Sequence, residues 1–169
     1  MKNNIIILLF IIIPTLIFSQ NNGVEIKGWT NVNTFKCSND NFRNSHSVYA
    51  FTGKELPNVQ LKVTDFDCRN KMMTSDFRKI LHANQYPVLN IKFLDFDKAS
   101  ANKFTAMVEV KMMNVTRKYA IEFSKNQSSL VGTKRLKFSD FNIVPPKKMG
   151  GMIYVKNEID LLFSLAIHE

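Results

Sequence analysis

Four aspartates sit in two pairs, Asp65 with Asp67 and Asp95 with Asp97. Residues two apart on an extended strand share a face, so each pair would set two carboxylates side by side. That arrangement suits proton transfer or calcium ligation. Both pairs adjoin turn-forming residues, however, and carboxylates at strand ends are mostly solvated charges. His46, His82 and His168 are scattered, and Cys37 and Cys68 match neither a CxxC nor a zinc spacing. There is no GxSxG elbow, no HExxH and no glycine-rich phosphate loop. These residues predict a protein that is not an enzyme, with no catalytic residue, no metal site and no cofactor. An enzyme built on Asp65 and Asp67 is a competing reading.

The two cysteines carry a different chemistry if the chain is exported, and the N-terminus points that way. Lys2 precedes a nearly unbroken apolar run from Ile5 to Phe18, closed by Ser19. The run falls short of the roughly 20 residues a membrane span requires and has the form of a signal peptide. Residues 1–19 are therefore expected to be removed, leaving 20–169 as one mature domain with no transmembrane anchor, in the periplasm or outside the cell. Disulfides persist there, and a Cys37–Cys68 bridge would constrain the unfolded chain by roughly 3 kcal/mol. Two free buried thiols are the alternative. The net charge of +9 falls to +8 when Lys2 leaves. Export disfavours nucleic acid as a partner and turns that charge toward anionic components of the cell envelope.

The elements that must position these groups read mostly as strands. In Ile159 to Ile167 every odd position is large and apolar, and Phe104, Ala106, Val108, Val110 and Met112 repeat the pattern. Shorter alternation runs through Val59, Leu61 and Val63, then Leu89, Ile91 and Phe93, then Tyr119, Ile121 and Phe123. Turn-forming segments such as 39–44, 97–102 and 145–151 separate the runs. One helix is expected near residues 74–83, capped by Thr74 or Ser75, with Met73, Phe77, Ile80 and Leu81 on one face. About eight antiparallel strands closing on themselves remove the exposed edges of an open sheet, so an all-β barrel is predicted. Its interior can be packed solid or can hold a small apolar ligand.

Several segments in order resemble the YceI-like family of exported bacterial proteins. These are the stretch Ile26 to Phe35, the pair Thr74 to Leu81 and Tyr86 to Phe93, the hairpin Met113 to Lys118, and Phe138 to Ile143 followed by Val155 to Leu161. Asn114 departs from the family's usual hairpin glycine, and asparagine tolerates the left-handed backbone expected there. The resemblance implies a lipocalin-like barrel that binds, stores or carries a lipid-like amphiphile, a polyisoprenoid chain above all, without covalent chemistry. It transfers no contact residue.

On that reading the inward set is expected to line the ligand: Phe35, Val63, Phe77, Leu81, Ile91, Phe93, Phe104, Val108, Val110, Ile121, Phe138, Leu161, Phe163 and Leu165. Arg117, Lys118, Lys134, Arg135, Lys137, Lys147 and Lys148 cluster at or beside predicted turns, where some would ring one barrel mouth and meet a charged head group. Trp29, the sole tryptophan, has three open places: the barrel floor, the core, or a cover over the bound chain. The alternative function is an envelope interaction protein with a solid barrel and a basic surface for an acidic partner.

Overall fold

The computed structural model describes residues 22–52 and 55–167; the expected signal peptide lies outside these residues. The alternating runs form the strands β1 (Gly23–Thr30), β2 (Thr34–Asn39), β3 (Asn58–Lys62), β4 (Phe66–Asp67), β5 (Val88–Phe93), β6 (Asp97–Ser100), β7 (Lys103–Met112), β8 (Val115–Asn126), β9 (Ser129–Lys137), β10 (Lys147–Lys148) and β11 (Ile153–Ala166). Eight of these eleven have five residues or more; β4, β6 and β10 are short additions. Pairing is antiparallel in the order β3-β5-β7-β8-β9-β11-β1-β2-β4. The two end strands of that order, β3 and β4, are successive parts of one segment, joined by a helical turn over Val63–Asp65. One bent segment thus bonds both flanks, and the sheet forms a nearly closed, lipocalin-like antiparallel barrel.

Register follows from the pleat. Ile26 lies opposite Leu161 and Val24 opposite Phe163, which puts the apolar faces of β1 and β11 inside together. Val59, Leu61, Leu89, Ile91, Phe93, Val108, Val110 and Ile121 complete the buried wall. Toward the end where β1 begins and β11 finishes, the interior is filled by aromatic rings in sequence: Phe104, Phe96, Phe51, Phe93, Phe123 and Phe163 stand 4.4 to 5.8 Å apart, centroid to centroid. Gly132 on β9 makes room for that row, because an added Cβ would lie 2.5 Å from the Phe123 ring.

Among the described residues two α-helices interrupt the strands, where the sequence predicts one. The segment expected as a turn at 39–44 forms α1 (Asp40–Arg43), since the Asn39 side chain accepts a bond from the Phe42 amide. The second, α2 (Lys71–Ile80), begins a turn earlier than expected because Asn70 caps it, accepting from the Met73 amide at 3.0 Å. Thr74 is buried inside the helix instead; its hydroxyl accepts from the Cys68 amide and donates to Asp67. The left-handed residue of the β7–β8 hairpin is Met113, not Asn114.

Candidate ligand-binding site

At the end opposite the aromatic row, α2 lies across the barrel mouth. Its apolar side, carried by Met73, Phe77 and Ile80, meets Phe35 of β2, Phe138, and Ile153 and Val155 of β11 around a cavity of about 250 Å³. Thr30, Asn70, Asp76, Lys148 and Tyr154 form its polar edge. The cavity exists because two sequence devices hold its walls. Gly28 faces inward from β1, and any Cβ there would fall 2.3 Å from the Phe35 ring, so glycine seats that ring. Phe138 starts a helical turn that Asp140 secures by accepting from the Lys137 amide and the Tyr119 hydroxyl, while Asn157 bonds Ser139. Burial, reinforced by the Asp140 carboxylate, holds the Tyr119 phenol far above its ordinary range and protonated.

A disulfide joins Cys37 of β2 to Cys68, which lies between β4 and α2, and so anchors the start of the helix to the barrel wall. On the other side of the cavity Lys148 pairs with Asp76 of α2. A larger groove, about 740 Å³, runs along the opposite side of α2 among Asp67, Lys71, Arg78, Lys79 and His82. Most of its lining side chains are charged or polar and it is open to solvent, so an apolar tail there would stay exposed to water.

The cavity brings together three of the fourteen residues expected as lining: Phe35, Phe77 and Phe138. Val63, Leu81, Ile91, Phe93, Val108, Val110, Ile121, Leu161, Phe163 and Leu165 belong to the packed core, where they fill the barrel against one another. Phe104 is half-buried in the aromatic row at the far end. Inward alternation identifies an interior face but not whether a partner side chain already occupies the space in front of it. Met72, Met73, Ile80, Pro146, Ile153 and Val155 are apolar cavity residues missing from that expectation, as is the whole polar edge, although the helical spacing of Met73 and Ile80 is a visible signal.

With this geometry established, its likeness to other proteins is informative. The sequence pattern of the YceI-like domain matches residues 20–167. The chain belongs to the YceI-like family. In structure it is similar to BcnA of Burkholderia cenocepacia, with a TM-score of 0.63 at 16% identity over 85% of this chain and 94% of that one. It is also similar to a Campylobacter jejuni YceI protein, with a TM-score of 0.52 at 13% identity over 73% of this chain and 94% of that one. No curated protein sequence matches the chain.

Within this YceI-like barrel one member of each aspartate pair, Asp67 and Asp95, has a structural partner. Asp67 accepts from the Arg69 amide at 2.9 Å and from the Thr74 hydroxyl at 3.1 Å, and these bonds hold its carboxyl below the ordinary range. Asp95 accepts from the Met107 amide. Among the described residues, no three His, Cys, Asp or Glu side chains gather where a metal ion could be held. The basic residues divide. Lys134 and Arg135 lie within β9 rather than at a turn; Lys134 bonds the Ala120 carbonyl and Arg135 grips both oxygens of Asp160 at 2.7 and 3.1 Å. Lys147 and Lys148 are at the cavity end, and Lys148 is part of its edge. Trp29 takes none of its three expected places. It points outward on β1, with Lys27 and Arg135 over its ring at 5.4 and 5.1 Å.

Proposed function

We propose that this protein binds a lipid-like amphiphile without catalysing a reaction, taking the apolar tail into the cavity beneath α2. The observation that carries the reading is an apolar cavity of about 250 Å³ at the mouth of a nearly closed barrel, with charge confined to its edge at Lys148 and Asp76. A cavity of about 150 Å³ holds a benzene ring, so this one accommodates on the order of ten carbons. Two five-carbon isoprene units match that capacity, and each contributes about 4 kcal/mol at about 0.8 kcal/mol per buried carbon. That capacity is compatible with the polyisoprenoid that the sequence resemblance implies, its end inserted and the rest of the chain leaving past Met72 and Tyr154. No cofactor is required. The apolar leader at 5–18 and the buried disulfide support an exported protein acting in the periplasm or outside the cell.

The filled interior favours a second reading, a solid barrel that uses its basic surface on an acidic partner. One experiment separates the two. Protein purified from its native envelope is extracted with organic solvent and analysed by mass spectrometry, and polyisoprenoid alcohol is then titrated into wild type and Ile80→Trp. Stoichiometric uptake that the larger side chain blocks, with circular dichroism unchanged, is expected. Well-folded protein that neither carries nor takes up an amphiphile would refute it.

A further inference from the structure

Exposed apolar side chains are concentrated at one end of this barrel. Val32, Met72, Val144, Met149 and Met152 are 67% to 85% exposed, and the next most exposed large apolar residue among the described residues is Tyr154 at 43%. Met72 and Tyr154 line the cavity, Val32, Met149 and Met152 lie within two residues of its lining residues Thr30, Lys148 and Ile153, and Val144 borders a shallow groove with Tyr154. Polar contacts tie most of these segments together. The β1–β2 turn carrying Val32 joins the start of β11 through Asn31, whose side chain donates to the Met152 carbonyl at 2.9 Å and accepts from the Tyr154 amide at 3.1 Å. The Lys148–Asp76 pair links the loop bearing Met149 to the helix bearing Met72. Met149, Gly150 and Gly151 have successive positive φ angles of 50°, 66° and 97°, a conformation that lifts a bulky side chain out of the fold at some cost.

Cations are interleaved with these residues. Lys71 adjoins Met72, Lys147 lies between Val144 and Met149, and Lys156 follows Tyr154 by two. All three are exposed and in no ion pair among the described residues. Asp76, the acid at the cavity edge, is matched by Lys148, and Glu158 interacts with Arg135. Apolar tips set among unpaired lysines complement a bilayer whose outer layer is anionic: the lysines meet phosphates while methionine and valine enter the acyl boundary. A second copy of the chain would bring like charges together.

We infer that the mouth end of the barrel docks on an anionic lipid bilayer, presenting the cavity to the acyl chains. This goes beyond amphiphile binding and does not require the cavity to be filled, so vesicle docking by a chain that takes up no amphiphile would leave it standing.

The test is co-sedimentation with vesicles of phosphatidylethanolamine and phosphatidylglycerol, against vesicles of phosphatidylcholine alone. Wild type and variants share one N-terminus, so any contribution of the leader cancels. Wild type should bind the anionic vesicles and release as salt rises. Lys71→Glu with Lys147→Glu should weaken partition roughly 25-fold or more, at about fivefold for each cation. Met149→Asp with Met152→Asp should weaken it at least about tenfold, and these exposed changes leave the core intact. Val48→Ser, away from the mouth, should change nothing. Absence of binding to anionic vesicles, or equal binding by the rim variants, would overturn the inference. So would a dimer that forms without vesicles and is lost with the same substitutions.

Discussion

Replacing both Cys37 and Cys68 with alanine should cost this protein about 3.7 kcal/mol. The bond closes a loop of 31 residues in sequence separation, and loop-closure entropy of about 2.1 cal/mol/K plus 1.5R ln n gives that figure at 25 °C. Both side chains are buried, so alanine is the right substitution; serine would bury a hydroxyl and add a separate penalty. Against a typical total of about 5 to 15 kcal/mol the loss is large. At about 2 to 4 °C per kcal/mol for a domain of this size, it lowers Tm by about 7 to 15 °C. Urea unfolding of oxidised wild type and the double variant, followed by circular dichroism, measures it. The location of the bond adds a local expectation. Cys68 leads into Asn70, the cap of α2, so amides of 71–81 should exchange faster with solvent in the variant than amides of β7 or β8. A loss below about 1 kcal/mol would refute the entropic reasoning. Unchanged exchange in α2 would refute the anchoring role.

Gly132→Ala should destabilise by about 1 to 3 kcal/mol, because the new methyl meets the fully buried Phe123 ring at 2.5 Å. Phe123→Leu in the same chain should recover part of that loss, and Gly132→Ala as stable as wild type would show that the ring has room to move. Asp67 makes stability depend on acid. Its carboxyl is held below the ordinary value by the Arg69 amide and then the Thr74 hydroxyl, so its contribution is present above about pH 4 and is lost as pH falls through the depressed value. The difference in urea midpoint between wild type and Asp67→Asn should therefore be constant near neutrality and shrink below about pH 4; a difference that holds or grows on acidification contradicts it.

Much of the wall was readable from the chain. The odd positions of β11 from Ile159 and the even positions of β7 from Ala106 are buried as their alternation required, because a strand with one wet face must segregate side chains at period two. The helix was legible on its apolar side but not at its start. Thr74 and Asn70 are both good caps, and only the bonds of Thr74 to Cys68 and Asp67 decide between them. The candidate site was the least legible part. Phe77 and Phe163 read alike in sequence, yet Phe77 borders the cavity and Phe163 packs against Phe123.

Which residues face inward, that the strands curl toward closure, and that this order of segments is YceI-like were all legible along the chain, because these depend on local periodicity and short-range turn chemistry. How that inward surface is used depends on packing between distant strands. Gly28 and Gly132 accept rings from neighbouring strands, six phenylalanines fill one end, and the mouth cavity is what remains where α2 crosses the other. The same holds for charge: Arg135 is locked to Asp160, whereas Lys147 beside the mouth is in no ion pair among the described residues. Volume left unfilled and charge left unpaired are differences between residues far apart in the chain, and no local pattern carries them.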